Sequence, residues 1–237
     1  MNRLYYLLAS FMFNKYKMNL QVKAPNNFAD HYSLNEAMTL FYQKNGFGPI
    51  VGDRQPLTVG VYTGCLIVPM PNIGVRHKYL KYHDLHHILT GYTVGRIGEG
   101  EVSAWELGTG SMFRHPILGV MNLIALSTGF FLKPKRMLQA YQRGLISSNT
   151  YDAKSRLWID THGEHPLAEL KQIKMEYKAK IFLPWLRWIE FAVYLSFAML
   201  IHAVVVIPAL ILRIVSYLLA GEPFIEIIKP VKRSDLY

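Results

Sequence analysis

The sequence predicts an all-α protein: a helical metal-binding domain followed by a membrane-associated or transmembrane C-terminal helix. Three observations carry this expectation. Apolar residues recur at helical rather than alternating spacing through most of the chain. The segment from Phe191 to Leu212 contains no Asp, Glu, Lys or Arg. Two histidines, His83 and His87, stand one helical turn apart with acidic residues close by in sequence. The pattern divides the chain into an apolar N-terminal helix (1–29), the helical domain (30–182), the apolar segment (183–220) and a tail (221–237).

The first twenty residues hold an apolar run of signal-peptide length, but no convincing small-residue cleavage site follows it. An uncleaved helix lying at a membrane is the expectation. Residues 33–45 read as a helix, with Ser33 as cap, Glu36 three positions on, and Ala37, Leu40 and Phe41 on one face. Glycines and prolines mark loops over 46–56 and 69–74. Between them, LTVGVYTGCLIV is β-branched enough for a strand, but no other segment alternates, so a helix is expected there. Val75 to Leu89 is helical with Gly91 as its C-terminal cap. Gly95 and Gly98 keep the next stretch loop-like, and a second helix runs from near Glu99 to about Gly108. Further helices are expected over 116–132, 134–143, 166–178 and 183–219. The last is long enough to cross a bilayer, with Trp185, Trp188 and Tyr217 placed as interfacial anchors; Pro208 points to a kink or a re-entrant hairpin.

Of 237 residues 51% are hydrophobic and 18% charged, and the formal net charge is +10. Basic residues cluster at Lys133, Lys135, Arg136 and Arg143, then at Lys171, Lys174, Lys178 and Lys180. No zinc finger, helix-turn-helix or basic–aromatic strand pattern accompanies them, so anionic lipid rather than nucleic acid is the expected partner. If the apolar segment spans, the basic bias upstream of it puts the domain on the cytoplasmic or matrix side. A single cysteine, Cys65, excludes a disulfide framework within the chain and a cysteine-rich zinc site.

The chemistry concentrates in HDLHHILTGYTVGRIGEGEVSAWE. On a helix His83 and His87 share a face, and Asp84 lies near its edge, able to ligate a metal or to orient an imidazole. If the glycine-bearing link turns the chain back, Glu99 faces the histidines. Two imidazoles and one or two carboxylates suit a divalent ion, zinc first, with iron or manganese also accommodated. Glu106, seven positions after Glu99, projects from nearly the same side and is assigned either support of the ligands or proton transfer; Glu101 points the other way, toward solvent. Histidines at this spacing are also common as surface or packing groups, and spacing alone does not decide between the two readings. His83, His86 and His87 also form an HxxHH box of the membrane di-iron hydroxylase kind. Only HGEH (His162 to His165) could supply another box, and HxxxH is missing. His86 therefore falls to the helix flank, and His31, His77, His115 and His202 read as structural. Arg143 is a candidate for a substrate carboxylate or phosphate, with a solvated helix end as the alternative.

On these residues the chain resembles the coenzyme Q biosynthesis protein 4 family. That family's hallmark is HDxxH, eleven residues, then Glu, and here His83, Asp84 and His87 are followed by eleven residues and Glu99. Trp105 with Glu106, the YQRG element and PLAELK (Pro166 to Lys171) extend the likeness, which covers roughly residues 30–178. The resemblance implies an all-helical fold and a zinc-like ion on His83, Asp84, His87 and Glu99. It also implies peripheral membrane attachment and C1 decarboxylation, oxidative or not, of a polyprenylated 4-hydroxy-3-methoxybenzoate. Partners implied are the prenylated aromatic lipid, the membrane and other quinone-pathway enzymes, with self-association open. A non-catalytic prenyl-lipid scaffold is the alternative reading.

Overall fold

The computed structural model describes residues 28, 30–47, 58–63, 66–176 and 184–223. The expected N-terminal helix, Cys65, Lys178, Lys180 and the tail beyond Pro223 lie outside these residues. The described domain is helical, as expected, with one two-stranded hairpin added.

Helix α1 (Leu34–Lys44) starts where the capping residues place it. The Glu36 amide donates to Ser33 Oγ (3.2 Å) and the Ser33 amide donates to Glu36 Oε2 (2.8 Å), satisfying two of the orphan donors at a helix start. Its Leu34, Ala37, Met38 and Phe41 are buried.

The LTVGVYTGCLIV stretch is the main departure from expectation. It forms antiparallel strands β1 (Thr58–Thr63) and β2 (Leu66–Pro71), in a register that runs from Thr58↔Pro71 to Thr63↔Leu66. The strand's partner lies within the same stretch, so the absence of alternation elsewhere was no argument against it. The strand also continues to Pro71, through residues expected to be a loop. A two-stranded ribbon has edges on both sides, which is where proline is tolerated.

Helix α2 (Gly74–Thr90) carries the histidines and ends at Gly91, whose φ of 76° is the left-handed cap conformation. Helix α3 (Arg96–Gly108) begins earlier than expected, so Gly98 is helical. A single turn α4 (Ser111–Arg114) leads into α5 (Pro116–Leu132), then α6 (Pro134–Leu145), α7 (Ala153–Thr161) and α8 (Leu167–Met175). Sequence pattern missed α4 and α7. The first is one turn, and the second has a single fully buried side chain, Ile159, and so no apolar stripe to read.

Two hydrophobic clusters result. One packs Leu34, Phe41, Leu85, Ile88, Ile159 and Leu170 from α1, α2, α7 and α8. The other packs Trp105, Leu126, Met137, Tyr141 and Tyr194 around α3. Helix α3 is central because small residues let its neighbours close on it. A Cβ at Gly144 of α6 would lie 2.2 Å from the Trp105 carbonyl oxygen, and one at Gly108 of α3 would lie 2.2 Å from that of Tyr141.

Helix α9 (Pro184–Ala220) is continuous through Pro208, so the re-entrant hairpin does not form. Phe191, Tyr194 and Ala198 bury its first part against the domain. Residues Trp185–Ala220 are long and apolar enough to cross a membrane, and only 6% of their most apolar window is buried. The remainder after Ala198 spans roughly 33 Å at 1.5 Å per residue, close to a hydrocarbon core of about 30 Å.

The close crossing of α3 and α6 is testable. Gly144→Ala puts a methyl group against the Trp105 carbonyl, and overpacking of this kind costs about 1–3 kcal/mol. The melting temperature of the detergent-solubilised protein is expected to fall by about 2–10 °C. An unchanged or raised value would mean the helices are not in contact there.

Candidate metal centre

The site lies on the polar seam between the two clusters, where α2 faces α3. The spacing argument places His83 and His87 on one face of α2, and Glu99 in the first turn of α3 stands opposite them. His83 Nε2 is 3.1 Å from Glu99 Oε2, and His87 Nε2 is 3.4 Å from Glu99 Oε1. The two imidazole nitrogens therefore converge on the two oxygens of one carboxylate.

Their outer nitrogens fix which atoms face inward. His83 Nδ1 lies 2.8 Å from Glu106 Oε1, and His87 Nδ1 donates to the Tyr92 carbonyl at 3.2 Å. With Nδ1 the donor on both rings, Nε2 of each is the atom left for a metal. His87 Nε2 is buried and misaligned with Glu99, and it has no hydrogen-bond partner among the described residues. An orphaned buried nitrogen facing a carboxylate and a second imidazole fits a divalent ion.

His86 is a different case, and a correction. Expected on the helix flank, it is fully buried. The Thr150 amide donates to its Nε2 at 3.0 Å, so Nδ1 carries the proton and donates to Glu106 Oε1 at 2.6 Å. Burial and the neighbouring imidazoles lower its pKa, while Glu106 opposes them, which agrees with a neutral ring. His86 Nδ1 also lies close enough to His83 and Glu106 for a second three-group cluster, but its only lone pair is already spent on Thr150. His86 supports the site rather than ligating.

Glu106 is the support's centre. Although fully buried, its carboxylate accepts from His83 and His86, from Tyr151 Oη (2.8 Å) and from Asn122 Nδ2 (2.9 Å). Burial alone would raise its pKa, but the His83 and His86 contacts outweigh burial and hold it far below the usual carboxylate range. A group so fully committed is poorly suited to proton transfer, and of its two expected roles the geometry fits the supporting one, that of a positioning residue.

The other expected residues separate. Asp84 is 1% exposed, and its oxygens fall outside the donor atoms that lie within 4.8 Å of one another; the structure brings together three of the four expected ligands. Its charge, after burial and Glu106, helps raise the Tyr151 hydroxyl pKa. Arg143 Nη1 donates to the Thr90 carbonyl at 2.6 Å, and its guanidinium lies over the Tyr92 ring. It braces the turn that orients His87. Glu101, expected in solvent, is 3% exposed and forms a two-pronged ion pair with Arg136 (2.6 and 2.7 Å), because α3 is enclosed on every side.

Sequence reasoning missed Tyr151, Thr150 and the role of Asn122. The last had a signal: an amide in the uncharged helix Pro116–Leu132 has to find a buried partner. The 146–152 link, which wraps His86, carried none beyond its polarity.

No family model, curated protein or solved structure matches this chain.

Two predictions follow from the site's geometry. Glu106→Gln keeps the shape but removes the charge that orients His83, and is expected to lower affinity for zinc about 10–100-fold by chelator competition; an unchanged affinity would contradict the positioning role. Burial pulls the His83 pKa down, but Glu106 and Glu99 outweigh it and hold it well above the usual imidazole value. The metal-free His83 is then protonated at neutral pH, and the ion must displace the proton on Nε2. Calorimetry in buffers of different ionisation enthalpy is expected to show about one proton released per zinc bound near pH 7, and affinity rising with pH. Proton uptake, or affinity flat from pH 6 to 8, would contradict this.

Proposed function

We propose that the chain is a metal-dependent enzyme that removes the C1 carboxyl group from a polyprenylated 4-hydroxybenzoate-type lipid of ubiquinone biosynthesis. The observation that carries the metal half is the convergence of His83 Nε2 and His87 Nε2 on Glu99, each ring held from behind. The reaction and substrate rest on the resemblance of HDxxH-x11-E to the coenzyme Q biosynthesis protein 4 family.

Lipid access is supported by the apolar surface beside the site. Phe113 on α4 and Ile117 and Val120 on α5 are 74%, 50% and 46% exposed. His115 lies in the same stretch, with its ring 5.1 Å from Tyr79 and 5.9 Å from Tyr151. A prenyl tail lying in the membrane against this face would leave its head group near the seam. The domain is assigned to the cytoplasmic or matrix side from the basic residues upstream of α9.

His83, His87 and Glu99 would hold the ion, zinc in the first instance. When bound, it supplies Lewis acidity to a phenolate or carboxylate oxygen. Glu106 and the Tyr92 carbonyl keep the two imidazoles aimed, and the two hydrophobic clusters exclude water from the seam's inner side. In the reaction the bond from C1 to the carboxyl carbon breaks, carbon dioxide leaves, and a solvent proton replaces it on the ring. The di-iron alternative loses ground because His86 has no free lone pair, and among the described residues His162 and His165 pack with Trp158 instead.

His87→Ala and Glu99→Ala, expressed in a strain deleted for this gene, are expected to reduce product to under about a hundredth and to accumulate the carboxylated precursor, read by lipid mass spectrometry. Normal quinone levels with both variants would sink the proposal. Restored levels in the variants only when partner enzymes are co-retained would favour the scaffold.

A further inference from the structure

An arginine that packs on the aromatic residues next to the metal-site histidines has one guanidinium nitrogen, Nε, with no hydrogen-bond acceptor among the described residues. Arg156 on α7 places its guanidinium 4.8 Å over the Tyr79 ring and 6.0 Å from that of Tyr82. Tyr79 precedes His83 by four residues on α2, so it continues the face that carries His83 and His87. Tyr79 meets Tyr151 edge-on at 5.4 Å, and Tyr151 Oη lies 3.5 Å from His83 Nδ1. His115 closes the group from the other side.

The two acids nearest Arg156 in sequence take their hydrogen bonds from other groups, although the Arg156 charge also acts on Asp160. The acids four residues before and after it are Asp152, the N-cap of α7, and Asp160. Asp152 accepts from Ser155 and pairs with Lys174 at 3.7 Å. Asp160 accepts from Lys81 at 2.8 Å and from Tyr82 Oη at 2.6 Å. Arg156 Nε is buried and has no hydrogen-bond partner among the described residues. Buried donors without an acceptor are rare, and a guanidinium with its face on a ring keeps its edge for a planar two-oxygen acceptor.

We propose that Arg156, Tyr79, Tyr151 and His115 form a subsite for an aromatic carboxylate, the guanidinium edge taking the carboxylate and the rings flanking the aryl plane. This rests on the proposed function and deepens it, by naming the group that recognises the substrate's acid before it is lost. Arg156 replaces Arg143 in that role, because Arg143 is engaged with Thr90 and Tyr92.

The test is binding of 4-hydroxybenzoate to the full chain in detergent, with and without zinc, by calorimetry. Wild type is expected to prefer 4-hydroxybenzoate over 4-hydroxybenzyl alcohol. Arg156→Met should weaken the acid about 10–100-fold and leave the alcohol unchanged, with zinc stoichiometry and melting temperature retained. Arg156→Lys, which keeps the charge but not the fork, should fall between, and it serves as the readout if the Met variant does not fold. Equal affinity of wild type and Arg156→Met for the acid overturns the subsite. So does equal affinity of wild type for acid and alcohol, or tighter binding of inorganic phosphate than of 4-hydroxybenzoate. If zinc fails to bind but the acid still depends on Arg156, the subsite stands and the metal-enzyme reading falls; the reverse pattern separates them the other way.

Discussion

The site depends on one buried carboxylate. Glu106 sits at zero exposure on the most enclosed helix, and an ion there costs several kcal/mol unless its lone pairs are filled. Four donors fill them, from α2, α5 and the link before α7. Each donor is thereby fixed in place: His83 aims its other nitrogen at Glu99, His86 ties α2 to Thr150, and Tyr151 forms a wall of the aromatic group. Removing any one donor leaves Glu106 under-satisfied, so ring orientation and packing are coupled through a single residue.

That arrangement also explains why the seam between the clusters is polar. Helix α2 contributes its apolar face to one cluster and its histidines to the boundary, while α3 does the same from the other side with Glu99 and Glu106. The α3–α6 glycine crossing brings α3 close enough to be enclosed. Helix α9 docks on the same cluster through Phe191, Tyr194 and Ala198 and sends a largely exposed apolar length beyond it. The domain and the membrane-compatible helix therefore share a core, and the exposed apolar residues of α4 and α5 belong to the same body as the site.

Much of this was legible in the sequence where a local rule acts alone. The Ser33–Glu36 box, the Gly91 cap and the charge-free run of α9 are short-range signals, and their elements formed as expected. The His83, His87 and Glu99 convergence was legible too, from helical spacing and a link that turns back. Asp84, expected near the face's edge, is buried and stands outside the three-residue group, a placement that helical spacing does not decide for an edge residue. The hairpin was misread because strand pairing depends on a partner, and pairing within one stretch looks like an unpaired strand. His86 was expected on the helix flank and Glu101 in solvent because sequence periodicity does not show that both sides of a helix are covered. The 146–152 link was silent, since its contacts with His86 span more than sixty residues of sequence.

X-ray absorption at the zinc edge of the purified protein tests the central claim most directly. Two imidazole nitrogens and carboxylate oxygen are expected at about 2.0–2.2 Å, with no sulfur and no second metal at the spacing of a two-metal site, about 3.5–4 Å. The imidazole scattering should fall by half in His83→Ala or His87→Ala and persist in His86→Ala. A metal–metal shell, or imidazole scattering lost on replacing His86 and retained without His87, would contradict it.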